Sequence, residues 1–310
     1  MTLTKVYDAA TAFKYLNGII NVFKPAGRKA SHVRIAIIHN LCRDLNQLEV
    51  REPRKMEMLE PGGDQGPVVR KVADLSDHIL SVGPRYQMQD IKCAPVSKVG
   101  FHTSGVLLFG INRGLKQSSK IHMNRPVRVY HVKGCLGTAT ETHFYDSRVT
   151  VKSKFNHVHP DRMSGMVSSL QASHQRKMYE LCGVDLQSQA AYEMASKGII
   201  RPASNSQPVL YGIKLIDFNR PEFTLEVAAI NENEDYLATL IHEIGIELRT
   251  VAHCTAIRCI RHGHFGIEDS LLRNSWDLAS IFENMRKTRK ILEDHPQMLN
   301  QPNVELRVDS

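Results

Sequence analysis

No apolar run in this chain approaches the roughly 18 residues that a membrane-spanning helix requires, and no apolar signal-peptide segment opens it. Cysteine is sparse. The six residues (Cys42, Cys93, Cys135, Cys182, Cys254, Cys259) are scattered without the spacing of a disulfide framework, as expected for a reducing compartment. Acidic side chains are the minority: 32 Asp and Glu face 40 Lys and Arg, for a net charge of +8. Such an excess favours an anionic partner, and nucleic acid is the commonest one for a soluble basic protein. What is present is ordinary for a globular chain, with 42% hydrophobic and 23% charged residues. With 310 residues, one large domain or two small ones can form without a metal or disulfide staple.

The first 18 residues hold Lys5, Lys14, several Thr and Ala, one acid and no Arg, a thin version of a transit-peptide composition. Gly18-Ile-Ile-Asn-Val-Phe-Lys-Pro-Ala-Gly27 reads as a short strand closed by a turn, because Pro stops the strand and Gly permits positive φ. Ser31 is expected to cap a helix through about Leu45. Residues 49–77 are charged and rich in Gly and Pro, and read as a surface insertion with a short strand at Val68-Val69. Ser104-Gly105 followed by Val-Leu-Leu-Phe-Gly predicts a loop delivering the chain into a buried strand. Later segments alternate as strands at 127–133, 209–218, 223–230 and 251–261. Between and after them, helical spacing is predicted from about Asp161, from Ser188 to a stop at Gly198, over 234–244, and around Trp276 to Met285. Strands and helices interleave without a regular βαβ rhythm. The fold class expected is α+β, with a mixed, largely antiparallel central sheet flanked by helices.

The obvious catalytic and metal motifs fail on inspection. His242-Glu243 resembles the start of a zinc-protease helix, but the second ligand would stand at Ile246. His253, Cys254, Cys259, His262 and His264 form a patch. Two cysteines five apart on a regular strand point to opposite faces, which is poor geometry for one tetrahedral ion. They read as buried strand cysteines. There is no Gly-x-Ser-x-Gly and no P-loop. Arg286-Lys-Thr-Arg-Lys290 places four cations on a tail helix, as a solvated face or a phosphate contact.

Five stretches in order resemble the TruB-type pseudouridine synthases, closest to the animal mitochondrial branch. They are the Gly18–Gly27 unit, Ser104-Gly-Val-Leu-Leu-Phe-Gly110, Arg128-Val-Tyr130 with Gly137-Thr-Ala-Thr140, Ala191-Tyr-Glu-Met-Ala-Ser-Lys-Gly198, and Tyr236-Leu-Ala-Thr-Leu-Ile-His-Glu-Ile-Gly245. The resemblance implies an extension at 1–17 that could serve as a transit segment, and a pseudouridine synthase-like domain over 18–282 carrying the 49–77 insertion. A helix end and polar tail at 283–310 follow, with no further RNA-binding domain expected. It also implies isomerisation of uridine to pseudouridine in structured RNA without cofactor or metal. In that chemistry an Asp is the nucleophile, an Arg pairs with it, and a Tyr stacks on a flipped base.

Counting back five residues from Gly105, the family's nucleophile position holds Gly100, and the Arg position after Tyr236-Leu237 holds Ala238. Tyr130 is retained for stacking, and Lys24, Gly100, His102 and Ala238 are expected to line the cleft. Loss of both members of the pair is physically coherent, since a buried Arg without its carboxylate costs several kcal/mol. The expectation is a catalytically impaired relative that binds tRNA, mitochondrial rRNA or mRNA in mitochondria, alongside protein partners of RNA processing. One alternative is an active isomerase using a relocated carboxylate such as Asp90. Another is a non-enzymatic RNA chaperone or assembly scaffold.

Overall fold

The computed structural model describes residues 8–50, 55–60, 68–73, 79–185, 187–196 and 207–300. Its strands are β1 (Gly18–Lys24), β2 (Lys55–Glu60), β3 (Val68–Ala73), β4 (Cys93–Pro95), β5 (Thr103–Ile111), β6 (Arg128–Leu136), β7 (Thr138–Thr140), β8 (Val149–Lys152), β9 (Val209–Asn219), β10 (Glu222–Ile230), β11 (Ala252–His262) and β12 (Phe265–Gly266). The helices are α1 (Ala9–Tyr15), α2 (Ala30–Gln47), α3 (Ile79–Val82), α4 (Gly114–Asn124), α5 (Pro160–Leu181), α6 (Gln189–Ser196), α7 (Glu234–Glu247) and α8 (Leu278–Asp294).

The central sheet runs β1-β5-β11-β6-β10-β9, with β4 against β5 and β12 against β11. Its pairings are antiparallel except β5 with β11. This is the mixed, largely antiparallel sheet that the patterning implies. β10 buries Phe223, Leu225, Val227 and Ala229 on one face with strict period two.

Each face of the sheet has its own core. One contains Ile20, Val22, Leu107 and Phe109 under α1, α2 and α8; the other contains Val132, Leu225 and Ile257 under α5 and α7. The parallel contact places Thr103 opposite Ile257 and Gly105 opposite Cys259. Gly105 is required there twice over. Its φ is +104°, and a Cβ would run into the Cys259 backbone.

Some local expectations change. Cys254 and Cys259 are both buried in the same core, because a bulge separates the pairings Cys254–Gly134 and Ala256–Lys133. The extra residue, Thr255, reverses the face parity that a regular strand would give. Among the described residues no group of three or more His, Cys, Asp and Glu could hold a metal, and no helix is long and apolar enough to cross a membrane. α2 starts at Ala30, one residue before Ser31, with Lys29 as its N-cap. The 49–77 segment contains a hairpin of two six-residue strands, β2 with β3, where only the Val68-Val69 strand is expected. Ahead of residue 18, α1 buries Ala9 and Ala12 against the core under α2, and the helix end expected within 283–310 is the end of α8 at Asp294. Ser188 does cap α6, accepting from the Ala191 N–H at 3.3 Å, whereas the expected stop at Gly198 lies outside the described residues.

Candidate active-site cleft

The loop entering β5 is held from below by the turn that closes β1. Lys24 is fully buried, and its ammonium donates to the carbonyls of Thr103 (2.6 Å), Pro25 (3.2 Å) and Phe101 (3.3 Å). The Gly27 N–H adds a bond to the Phe101 carbonyl at 2.9 Å. The Lys-Pro-x-Gly sequence therefore works as a clamp. Pro ends the strand, Gly takes φ of +71° to turn the chain back, and the Lys side chain folds over the loop it supports. Burial pulls the Lys24 amine down to about 8, partly opposed by the nearby Glu234 carboxylate.

Glu234 is the first residue of α7, whose N-cap Asn233 accepts from the Tyr236 N–H. One Glu234 carboxylate oxygen accepts from both the Thr103 N–H (2.7 Å) and the Thr103 hydroxyl (2.6 Å). A Cβ built on Gly100 would overlap this carboxylate and stand 2.6 Å from the Glu234 Cβ. Any side chain at position 100 and the side chain at 234 thus claim the same volume.

A second carboxylate enters two residues earlier. Glu232 is buried (5% exposed) and forms an ion pair with the Arg128 guanidinium. The same carboxylate oxygen accepts from the Tyr130 hydroxyl at 2.6 Å. Arg128 also donates to the Lys98 carbonyl, the Ser97 hydroxyl and the Glu232 carbonyl, which ties the start of the β5 loop to the β10–α7 connection. Burial raises the Glu232 carboxyl and drives the Tyr130 phenol well above its usual value.

The other predicted site residues divide clearly. Tyr130 is 4% exposed, with the Arg128 guanidinium 5.9 Å from its ring centre, so the ring is covered. His102 stacks on Phe144 at 4.6 Å and has the Asp146 carboxylate at 3.5 Å. Ala238 is fully buried one turn along α7 from Glu234, on the same helix face. Asp90 is not brought to this group. It sits in an exposed turn accepting from the Gln87 N–H, just ahead of β4, whose Cys93 pairs with Ile111. That is the opposite end of β5 from Thr103, roughly 25 Å away at the usual rise of a strand.

Reasoning along the sequence missed Glu232 and Glu234. It sought a substitute acid near position 100 in the chain, whereas both arrive from a segment more than 130 residues later. The alternating Asn231-Glu232-Asn233-Glu234 ahead of a helix was the available signal.

The model of the family described as TruB family pseudouridylate synthase (N terminal domain) matches residues 98–233. The mitochondrial pseudouridylate synthase TRUB2 of Xenopus tropicalis is 35% identical over 288 residues, covering 91% of this chain and 88% of that protein. The chain belongs to the TruB pseudouridine synthase family. The human mitochondrial pseudouridylate synthase TRUB2 is 32% identical over 278 residues, with 87% and 83% covered. Among solved structures, the archaeal box H/ACA sRNP Nop10-Cbf5 complex is similar with a TM-score of 0.48 and 16% identity, covering 88% of this chain. The chain spans 59% of the length of that structure's chain. Within the TruB family frame, the matched segment begins two residues before Gly100 and ends one residue before Glu234.

Proposed function

We propose that this protein is a mitochondrial RNA-binding member of the TruB family in which conversion of uridine to pseudouridine by the family's Asp–Arg pair is impaired. One observation carries the reading. At Gly100, where resemblance places the nucleophile, there is no side chain, and the space such a side chain would need is filled by a carboxylate already bound to Thr103. Ala238 offers no guanidinium in the apolar surroundings of α7. The mitochondrial naming of the relatives supports the compartment, with tRNA, mitochondrial rRNA or mRNA as the ligand and RNA-processing proteins as partners. Net charge of +8 and the four exposed cations of α8, Arg286, Lys287, Arg289 and Lys290, support phosphate contact.

The test pairs binding with product mapping. Affinity for structured RNA should fall steeply with salt, with a log–log slope of about −3 if four phosphates are neutralised. Pseudouridine mapped on the same RNA after incubation should stay at background, and Asp90→Ala should change neither result. Product that disappears with Asp90→Ala would establish a relocated nucleophile and overturn the proposal. Loss of all RNA affinity would favour a protein scaffold instead.

A further inference from the structure

We propose that Glu234 is the internal occupant of the nucleophile position and holds the cleft in its present form, so that positions 100 and 234 can carry one carboxylate between them but not two. The inference rests on the functional reading above and adds the reason why the loss at position 100 cannot be reversed by a single substitution.

Three observations converge on it. The overlap at Gly100 involves the Glu234 carboxylate and its Cβ. The carboxylate atoms lie nearest to a Cβ built at position 100 and are held by Thr103, so they are not a free tip that can swing aside. The carboxylate also accepts from both the Thr103 N–H and the Thr103 hydroxyl. These charge-assisted bonds strongly resist displacement. Finally, Lys24 is buried beneath the same loop, and Glu234 is the charge that supports its ammonium form. Glu234 therefore acts as a positioning residue. It fixes Thr103, and through Thr103 and Lys24 the path of the β5 loop. An Asp introduced at 100 would bring a second negative charge and a Cβ into space that is already taken.

The experiment is a double-mutant cycle read by thermal melting of the full chain, with Gly100→Asp, Glu234→Ala and the pair together. Gly100→Asp should lower Tm by roughly 5 °C or more, as for an overpacked site with like charges in contact. Glu234→Ala should lower it less. The double variant should melt above Gly100→Asp, since Glu234→Ala removes the second charge and the carboxylate atoms that overlap most, leaving only the Cβ contact. Two independent sites cannot give that reversal. A double variant melting at the sum of the two losses would overturn the inference. If Gly100→Asp does not fold, Gly100→Ala takes its place in the cycle, because its Cβ alone meets Glu234. The Thr103 amide resonance supplies a further readout. Its chemical shift should move in Glu234→Gln, which exchanges the charged acceptor for a neutral one and preserves the fold and Tm more closely than Glu234→Ala. An amide unaffected by Glu234→Gln would also overturn the inference. Pseudouridine formation by the unmodified protein would contradict the functional reading while leaving the melting cycle intact, so the two failures are distinguishable.

Discussion

The two carboxylates at the start of α7 solve the same electrostatic problem differently. On the β6 side, Glu232 is shut away with a full cationic partner, Arg128, and a phenol donor, Tyr130. On the β5 side, Glu234 is half-buried and relies on a backbone N–H and a hydroxyl from Thr103, with Lys24 as a supporting charge. A deeply buried carboxylate needs an ion pair because no water remains to solvate it, whereas a half-buried one can be held by neutral donors at a helix N-terminus. The first arrangement fixes the architecture and covers the Tyr130 ring, to which the family resemblance assigns base stacking. The second occupies the place where the family's chemistry is expected.

Breaking the Glu232 half should have the largest effect. Arg128→Met leaves a buried carboxylate without its partner and should cost about 3–5 kcal/mol in urea unfolding. Arg128→Met combined with Glu232→Leu should recover most of that loss, because an apolar pair replaces the ion pair. If the double variant is as unstable as the single one, the pair is doing more than neutralising itself.

The Glu234 half can be sharpened by pH. The folded Lys24 amine titrates at about 8, below its ordinary value of 10.5. Between these values the unfolded chain holds a proton that the folded chain has released, so stability should rise with pH, by up to about 1.4 kcal/mol per unit. The charged Lys24 thus costs stability below pH 8, and Lys24→Met should flatten the rise between 8 and 10.5. A curve unchanged by Lys24→Met would show that the three carbonyls and Glu234 fully compensate the ammonium.

The smallest effect belongs to Asp90, which lies outside both halves. Asp90→Ala removes one exposed turn bond to the Gln87 N–H and should cost no more than about 1 kcal/mol. A melting shift as large as that of Glu234→Ala would join the far end of β5 to the cleft.

Much of the framework was legible because it depends on local periodicity. The alternation of Phe223, Leu225, Val227 and Ala229, the Lys-Pro-x-Gly turn after β1, and the helix from Glu234 all follow from spacings a few residues long. α4 was not anticipated, since Gly114–Asn124 is polar on most of its surface and buries only Gly114, Ser118 and Ile121. The hairpin β2–β3 was foreseen only as a two-residue strand, because charged residues hide its alternation. The bulge at Thr255 was invisible for a different reason. A single unpaired residue changes face parity without leaving a mark in composition.

What the sequence determined by itself was the family frame and the residue types within it: Gly100 has no side chain to offer, and Ala238 has no charge. What the tertiary structure decided is what stands in that space. Glu232 and Glu234 are two residues apart in the chain, yet one turns to Arg128 and Tyr130 and the other to Thr103 and Gly100. A carboxylate's partners are set by the strands and helix termini that converge on it, and no count along the chain specifies that convergence.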